Sequence, residues 1–138
     1  FKEGLVLISE AFSKFKAKQK NVNWSVSSFN DNGELVVSLW NQYFHKTSRN
    51  GNTSMTYIDK VSRWNGAGQK EFIANLDKAT QTETVVRTII ARTNNPEVVD
   101  KGGDASKLKN TFAPKLDWIG KIKVWDGDNF EIEFIREI

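Results

Sequence analysis

The stretch TVVRTIIART, residues 84–93, carries the strongest strand signal in the chain. Apolar side chains would lie on both faces of an extended strand here, in the pairs Val85 with Ile89 and Val86 with Ile90. This pattern is typical of a strand inside a sheet that is covered on both sides. We therefore expect a central strand, ended by the Asn-Asn-Pro run that follows it.

Two further strand-like runs, residues 22–29 and 34–44, precede the central strand and are joined by the tetrapeptide NDNG. Asn-Gly between alternating residues predicts a hairpin, because both residue types tolerate positive φ. The next segment, HKTSRNGNTS at residues 45–54, has no strongly apolar side chain and is predicted to be a loop. It would close a second, longer hairpin with a strand at residues 55–64.

Apolar residues at steps of three and four predict two helices, one over residues 2–19 and a short one after residue 68. After the central strand, residues 97–114 are polar and are expected to be the least ordered internal region, with a brief helix near residues 106–110. A last hairpin is predicted from residues 118–125 and 130–136 around the turn sequence DGDN.

These elements predict one α+β domain over residues 1–138, a length that suits a single core. The expected architecture is a curved, mostly antiparallel sheet of about six strands, with closure toward a barrel as one alternative. The N-terminal helix would pack on one face of this sheet.

Composition excludes several classes of chemistry. The chain has no cysteine, so it can form no disulfide, thiolate zinc site or cysteine nucleophile. His45 is the single histidine and no Gly-x-Ser-x-Gly motif is present, which argues against a serine triad. No apolar run approaches about 18 residues, so we expect a cytoplasmic protein without a membrane span. A net charge of +3 is only mildly basic.

Acidic residues crowd the C-terminal hairpin and could hold a divalent metal in a nuclease, namely Asp117, Asp126, Asp128, Glu131 and Glu133. Turn chemistry and cross-strand pairs with Lys121 and Lys123 explain the same residues more simply. Gly66-Ala67-Gly68 lacks the third glycine of a dinucleotide-binding turn and is interpreted as a connector. We therefore predict no catalytic residue, metal or cofactor and favour a non-enzymatic protein.

Five tryptophans lie in or at the ends of predicted strands, with arginines beside them. Flat indoles next to guanidinium groups can stack a base and hold phosphates, although strand-borne tryptophans more often fill cores. Arg87 is notable because it shares a face with Val85 and Ile89, where a buried guanidinium needs an acidic partner or an anionic ligand. The predicted ligand-binding residues are Trp40, Arg63, Trp64, Arg87 and Arg92.

The favoured function is a nucleic-acid-binding module for DNA or RNA, in which an aromatic pocket accepts a single base and lysines of the first helix assist. One alternative is a domain that binds a planar small molecule in an aromatic-lined cavity. Another is a homodimeric interaction protein that associates through an exposed sheet face or edge.

Overall fold

The structure is a computed structural model that describes residues 7–49, 51–105 and 108–137. The helices are α1 (Ile8–Lys14), α2 (Ala67–Gln81) and α3 (Pro96–Asp100). The strands are β1 (Ser27–Phe29), β2 (Leu35–Trp40), β3 (Phe44–Arg49), β4 (Asn52–Lys60), β5 (Val86–Thr93), β6 (Asn110–Pro114), β7 (Trp118–Trp125) and β8 (Asn129–Arg136). Short 3-10 turns, Asn41–Tyr43 and Val61–Arg63, follow β2 and β4.

The eight strands form one sheet in the order β1-β2-β5-β7-β8-β4-β3, with β6 paired to part of β5. Among the strand pairs in the described part of the chain, β2 and β5 run parallel and the others are antiparallel. The predicted α+β class with a mostly antiparallel sheet is confirmed. Over the described residues the sheet has eight strands instead of about six, and β1 and β3 lie at its two edges, so it does not close into a barrel.

Strand β2 packs on both faces, which explains why α1 and α2 lie on opposite sides of the sheet. Leu35 and Val37 belong to a buried cluster with Phe72 of α2, whereas Val36 belongs to a second cluster with Phe12 of α1. Packing of the N-terminal helix on the sheet is thus confirmed. No helix in the described ranges combines the length and apolarity that crossing a bilayer requires.

Several local predictions agree with the structure. Strand β5 lies inside the sheet, paired with β2 along one side and with β6 and β7 along the other. The predicted hairpins at the NDNG and DGDN turns are β1-β2 and β7-β8. The apolar face of α2 is buried through Phe72, Leu76 and Ala79.

The prediction of a loop at residues 45–54 is wrong, because most of this segment forms β3 and the start of β4. Six residue pairs connect the strands, from Phe44 with Tyr57 to Arg49 with Asn52, so only two residues separate them. The outer part of this hairpin is exposed along His45 to Ser48. A two-stranded ribbon with both faces exposed to solvent needs no alternation of apolar and polar side chains. The sequence of residues 45–54 therefore lacked the pattern of a strand.

Helix α1 is shorter than predicted within the described residues; residues 2–6 of the predicted helix lie outside them. The chain leaves the helix at Lys16, whose φ is +60°. Ala17 then forms an isolated bridge with Asn30, whose side-chain amide donates to the carbonyl of Phe15 at 3.0 Å. Pairing of Ala17 with Asn30 therefore ends the helical region earlier than the spacing of apolar residues predicted.

The predicted strand at residues 22–29 begins only at Ser27. The side chain of Asn21 accepts a hydrogen bond from the Asn23 N–H at 2.8 Å, and the Asn21 carbonyl accepts from the Ser25 N–H at 2.9 Å. Such an Asx turn competes with strand pairing. Trp24 consequently lies in a turn and not in the sheet.

The polar region at residues 97–114 is more structured than predicted. Pro96 occupies the first turn of α3, where its missing N–H costs nothing. Residues 110–114 form β6, which covers the end of β5. Of the brief helix predicted at residues 106–110, residues 106–107 lie outside the described part, and Asn110 starts a strand instead.

Candidate functional site

A cavity of about 670 Å³ lies at the C-terminal end of β2 and is called the aromatic cavity below. Four stretches of chain form most of its wall, residues 22–26, 38–40, 63–68 and 102–105. Buried aromatic side chains of the core also border it: Tyr57, Phe72 and Phe130. Its volume is within the range of roughly 300–1,000 Å³ typical of small-molecule sites.

Three of the five tryptophans border this cavity, and all three are half-buried: Trp24, Trp40 and Trp64. Trp64 packs edge-on against Phe72 and Phe130, at centroid distances of 5.6 and 6.4 Å. Trp24 and Trp40 belong to neither core cluster of the described residues. Their indole surface therefore contributes to the cavity wall more than to the core.

The other two tryptophans have structural partners and do not border the cavity. Trp118 packs on Phe44 and Phe134, with centroid distances of 6.0 and 6.1 Å. The Trp125 indole N–H donates to the Asp77 carboxylate at 2.6 Å. Three of the five indoles thus border the cavity, and the other two pack on the sheet or pair with a neighbouring helix. Aromatic side chains on strands usually pack in this second way.

Arg63 holds one wall of the cavity through a network of its own. Its Nε and Nη2 donate to the Asp59 carboxylate at 2.8 to 3.1 Å, and its Nη1 donates to the Val99 carbonyl at 2.8 Å. The guanidinium carbon lies 4.9 Å from the ring centre of Tyr43 and 4.8 Å from that of Trp64. The bidentate contact and the stacked rings fix both Arg63 and the indole beside it.

Burial in this network shifts three pKa values. Burial, reinforced by the Asp59 charge, raises the pKa of Tyr57 well above its usual value. Burial and a hydrogen bond to Asp100 raise the pKa of Tyr43. Burial is the largest influence on the pKa of Arg63 and lowers it, but the hydrogen bonds to Asp59 and the charge of Asp59, with Tyr57 and Tyr43, together raise that pKa above its usual value. Both phenols therefore stay neutral at ordinary pH, while Arg63 stays charged.

The structure brings Trp40, Arg63 and Trp64 to the aromatic cavity and places Arg87 and Arg92 elsewhere. Arg87 borders a separate depression of about 170 Å³ beside Lys14 and Lys16. Arg92 is exposed on β5 and is absent from the described lining of the aromatic cavity. Contact of these residues with a ligand stays a prediction.

The partner that Arg87 requires is supplied by the protein. Its guanidinium donates to the carbonyls of Trp118 and Leu116, at 3.0 and 2.5 Å, and lies 3.5 Å from a Glu34 carboxylate oxygen. It also lies over the Phe15 ring, 5.2 Å from its centre. These contacts satisfy the buried charge without an anionic ligand.

The acidic residues of the C-terminal hairpin have ordinary structural partners. The side-chain amide of Asn129 and two backbone N–H groups of the same turn donate to the Asp126 carboxylate, and these hydrogen bonds lower the pKa of Asp126. Glu133 pairs with Lys123 at 3.6 Å, and Asp117 pairs with Arg136 at 2.8 Å. Over residues 7–49, 51–105 and 108–137, no three acidic or histidine side chains gather where they could hold a metal.

Most residues that line the cavity were not predicted as ligand contacts, among them Trp24, Gln19 and Asn110. The alternation of residues 22–27 placed Trp24 in a strand, although the two asparagines at 21 and 23 are a turn signal. The loop Gly102-Gly103-Asp104 also borders the cavity.

Comparison of the chain with protein-family models, with curated proteins and with solved structures finds no match. Functional inference therefore starts from the aromatic cavity alone.

Proposed function

We propose that this protein is a nucleic-acid-binding module that holds a single base in the aromatic cavity. The observation that carries the proposal is the position of Trp24 and Trp40, which are half-buried, border the cavity and belong to neither described core cluster. An indole held in this way offers a flat apolar face to a planar guest. Stacking of one base on an aromatic side chain contributes about 1–3 kcal/mol.

The charge beside the cavity favours a guest attached to phosphates. The segment that leads into the wall at residues 22–26 carries four exposed lysines and no acidic residue, namely Lys14, Lys16, Lys18 and Lys20. Lysines in such a run bind a phosphate backbone mainly through charge, and binding then releases counterions. The part of the wall at residues 102–105 contains the acidic residue Asp104. We therefore expect the backbone of the bound nucleic acid to run along residues 14–20, which carry the lysines.

A free planar compound is the alternative guest, and the volume of the cavity favours it as much as it favours a base. The two guests differ in their dependence on salt. A strand that contacts lysines binds more weakly as salt increases, whereas an uncharged compound in the same cavity is indifferent to salt. Thermal stabilisation by free bases or nucleosides, with no effect from oligonucleotides, would favour the alternative.

Removing either cavity indole tests the proposal. We expect Trp24→Ala and Trp40→Ala each to weaken binding of short labelled single-stranded oligonucleotides by about tenfold, because one stacking contact is lost. Fluorescence anisotropy in low-salt buffer measures this loss, and circular dichroism verifies that each variant folds.

Trp125→Phe is the matched control, since Trp125 lies outside the cavity and should leave affinity unchanged. The proposal fails if single-stranded and double-stranded DNA and RNA all show no binding at low salt. It also fails if the control weakens binding as much as the two cavity variants do.

A further inference from the structure

The depression of about 170 Å³ beside Arg87 collects positive charge and is called the basic depression below. Lys14, Lys16 and Arg87 line it together with one carboxylate, that of Glu34. The other described residues of its lining are uncharged, namely Phe15, Asn30, Asn32 and Leu116. At neutral pH this lining therefore carries three positive charges against one negative charge.

The cationic groups of the basic depression are open to a solute. Lys14 and Lys16 are exposed, and 16% of the Arg87 side chain is accessible. The hydrogen bond from Arg87 Nη2 to the Leu116 carbonyl lies at the surface, whereas the one from Nε to the Trp118 carbonyl is partly buried. One end of the guanidinium thus borders open space, where a ligand in the depression can contact it.

The described contacts of Arg87 leave part of its hydrogen-bonding capacity unused. A guanidinium has five N–H groups, and the hydrogen bonds to the two carbonyls use two of them. Nη1 lies 3.5 Å from Glu34 Oε1, which is longer than the roughly 2.7–2.9 Å of a charge-assisted hydrogen bond. The same oxygen accepts a shorter hydrogen bond from Asn30 Nδ2, at 2.8 Å. The protein thus balances the buried charge, and N–H groups remain for an anion at the exposed end.

Backbone contacts fix both sides of the basic depression. Lys16 has a φ of +60°, and its carbonyl accepts from the Asp31 N–H at 3.3 Å. Asn30 Nδ2 also donates to the Phe15 carbonyl, at 3.0 Å. These contacts tie the end of α1 to the turn between β1 and β2. A ligand therefore meets a site whose backbone is already ordered, which lowers the entropic cost of binding.

Three neighbouring cations suit an anion that has several oxygens. A guanidinium binds phosphate oxygens through its planar array of N–H groups, and an ammonium group adds a compact charge. We propose that Lys14, Lys16 and Arg87 form a phosphate-binding site in the basic depression, separate from the aromatic cavity. Glu34 opposes the binding of an anion there and limits its affinity. The phosphate is either free or part of a nucleic-acid backbone, and only the second case rests on the proposed function.

The position of the basic depression allows one nucleic-acid strand to occupy both sites. Glu34 precedes β2, whereas the aromatic cavity lies at the C-terminal end of β2. Ser28 of β1 donates to the Lys18 carbonyl at 2.6 Å, so the lysine segment passes alongside β1 between the two sites. From Lys16 to Val22 the chain extends at most about 20 Å, which about six stacked nucleotides span. A strand of about ten nucleotides can therefore reach both sites, and a dinucleotide cannot.

Binding of inorganic phosphate tests the site without nucleic acid. We expect phosphate, added while chloride keeps the ionic strength constant, to shift the Arg87 Nε–H signal in an NMR titration. Glu34→Gln should bind phosphate about threefold more tightly, because the opposing charge is lost while an amide oxygen still accepts from Asn30. Asp31→Asn is the matched control, since Asp31 is exposed in the same turn but outside the described lining, and it should bind phosphate like the unmodified protein.

Removing the two lysines should have the opposite effect. The double variant Lys14→Ala with Lys16→Asn should weaken binding of phosphate and of a strand of about ten nucleotides by about fivefold each. Asparagine is chosen at position 16 because it tolerates a positive φ. Affinity for a dinucleotide should not change. The control double variant, Lys46→Ala with Lys121→Ala, removes the same charge from β3 and β7 and should leave all three affinities unchanged.

The outcomes separate this proposal from the proposed function. If phosphate leaves the Arg87 signal unchanged, and the Glu34 and lysine variants bind strands like their controls, the phosphate site is overturned even where bases bind in the aromatic cavity. If phosphate binds but no strand does, the site takes free phosphate and the proposed function fails. If the longer strand alone loses affinity in the lysine variant, and not in its control, the phosphate belongs to the nucleic-acid backbone.

Discussion

Arg63 shows how one charged residue can serve a binding site without offering its charge to the ligand. The sequence suggested a phosphate contact, yet its guanidinium is engaged with Asp59, Val99 and two aromatic rings. Its side chain is 14% exposed, and that of Asp59 is 4% exposed. The pair is thus buried enough to position Trp64 firmly at the cavity.

Loss of this pair should cost much more stability than loss of a surface pair. We expect Arg63→Met to lower the free energy of unfolding by about 3 kcal/mol, because the Asp59 carboxylate would be left buried and unpaired. Urea denaturation followed by tryptophan fluorescence measures the change. Arg136→Met removes a comparable but exposed contact with Asp117 and should cost less than about 1 kcal/mol. Equal losses would contradict the buried role of Arg63.

At the scale of elements, the cavity walls are held together by close backbone approaches at two glycines. A Cβ atom on Gly68, in the first turn of α2, would lie 2.6 Å from the Trp24 carbonyl oxygen. A Cβ atom on Gly102 would lie 2.1 Å from the Arg63 carbonyl oxygen. The first turn of α2 and the loop after α3 therefore set the positions of Trp24 and Arg63, although neither segment contains an aromatic residue.

Gly102→Ala should be more harmful than another alanine substitution at a glycine with the same backbone conformation. Gly102 and Gly33 have φ of +75° and +78°, but a Cβ atom at Gly33 would meet nothing within 4 Å. Gly33→Ala should cost about 1 kcal/mol from φ alone. Gly102→Ala should cost at least about 1 kcal/mol more, from steric overlap.

Thermal or urea denaturation of the two glycine variants measures these costs. Oligonucleotide affinity should decrease in Gly102→Ala and stay unchanged in Gly33→Ala, since only Gly102 borders the cavity. If the two variants lose the same stability, the close approach to Arg63 does not hold the wall.

At the scale of the whole molecule, the distribution of charge matters more than the net value of +3. Every second residue from 14 to 20 is an exposed lysine, although among these lysines only Lys14 lies on a helix. The other three follow the chain as it leaves α1 toward the wall at residues 22–26. Lys14 and Lys16 border the separate depression beside Arg87, whereas Lys18 and Lys20 lie on the stretch that leads to the cavity wall at residues 22–26.

Salt dependence of binding tests whether this segment contacts phosphates. We expect the double variant Lys18→Ala with Lys20→Ala to reduce the slope of log affinity against log salt by about 1.4, or roughly 0.7 for each single-strand phosphate contact. The control double variant, Lys46→Ala with Lys121→Ala, removes the same charge from β3 and β7 and should leave the slope unchanged. Equal slopes in both variants would refute a specific contact.

Local patterns in the sequence were sufficient where one segment carries its own physical signal. The apolar run of β5, the stripe of α2 and the Asn-Gly and Asp-Gly turns each depend on neighbours a few residues away, and each prediction is confirmed. The same local rules were wrong at residues 22–26 and 45–54. An Asx turn displaces pairing in the first segment, and a hairpin that is wet on both faces has no apolar alternation in the second.

The sequence by itself determined the α+β class, the inner position of β5 and the unusual supply of tryptophan, because these follow from spacing and composition. Only the tertiary structure decided which indoles fill the sheet and which border a cavity, and that Glu34 and two carbonyls satisfy Arg87. The physical reason is that the walls of the cavity come from segments far apart in the chain. These segments come together through packing between helices and strands, and a pattern of residues close together in the sequence cannot predict that packing.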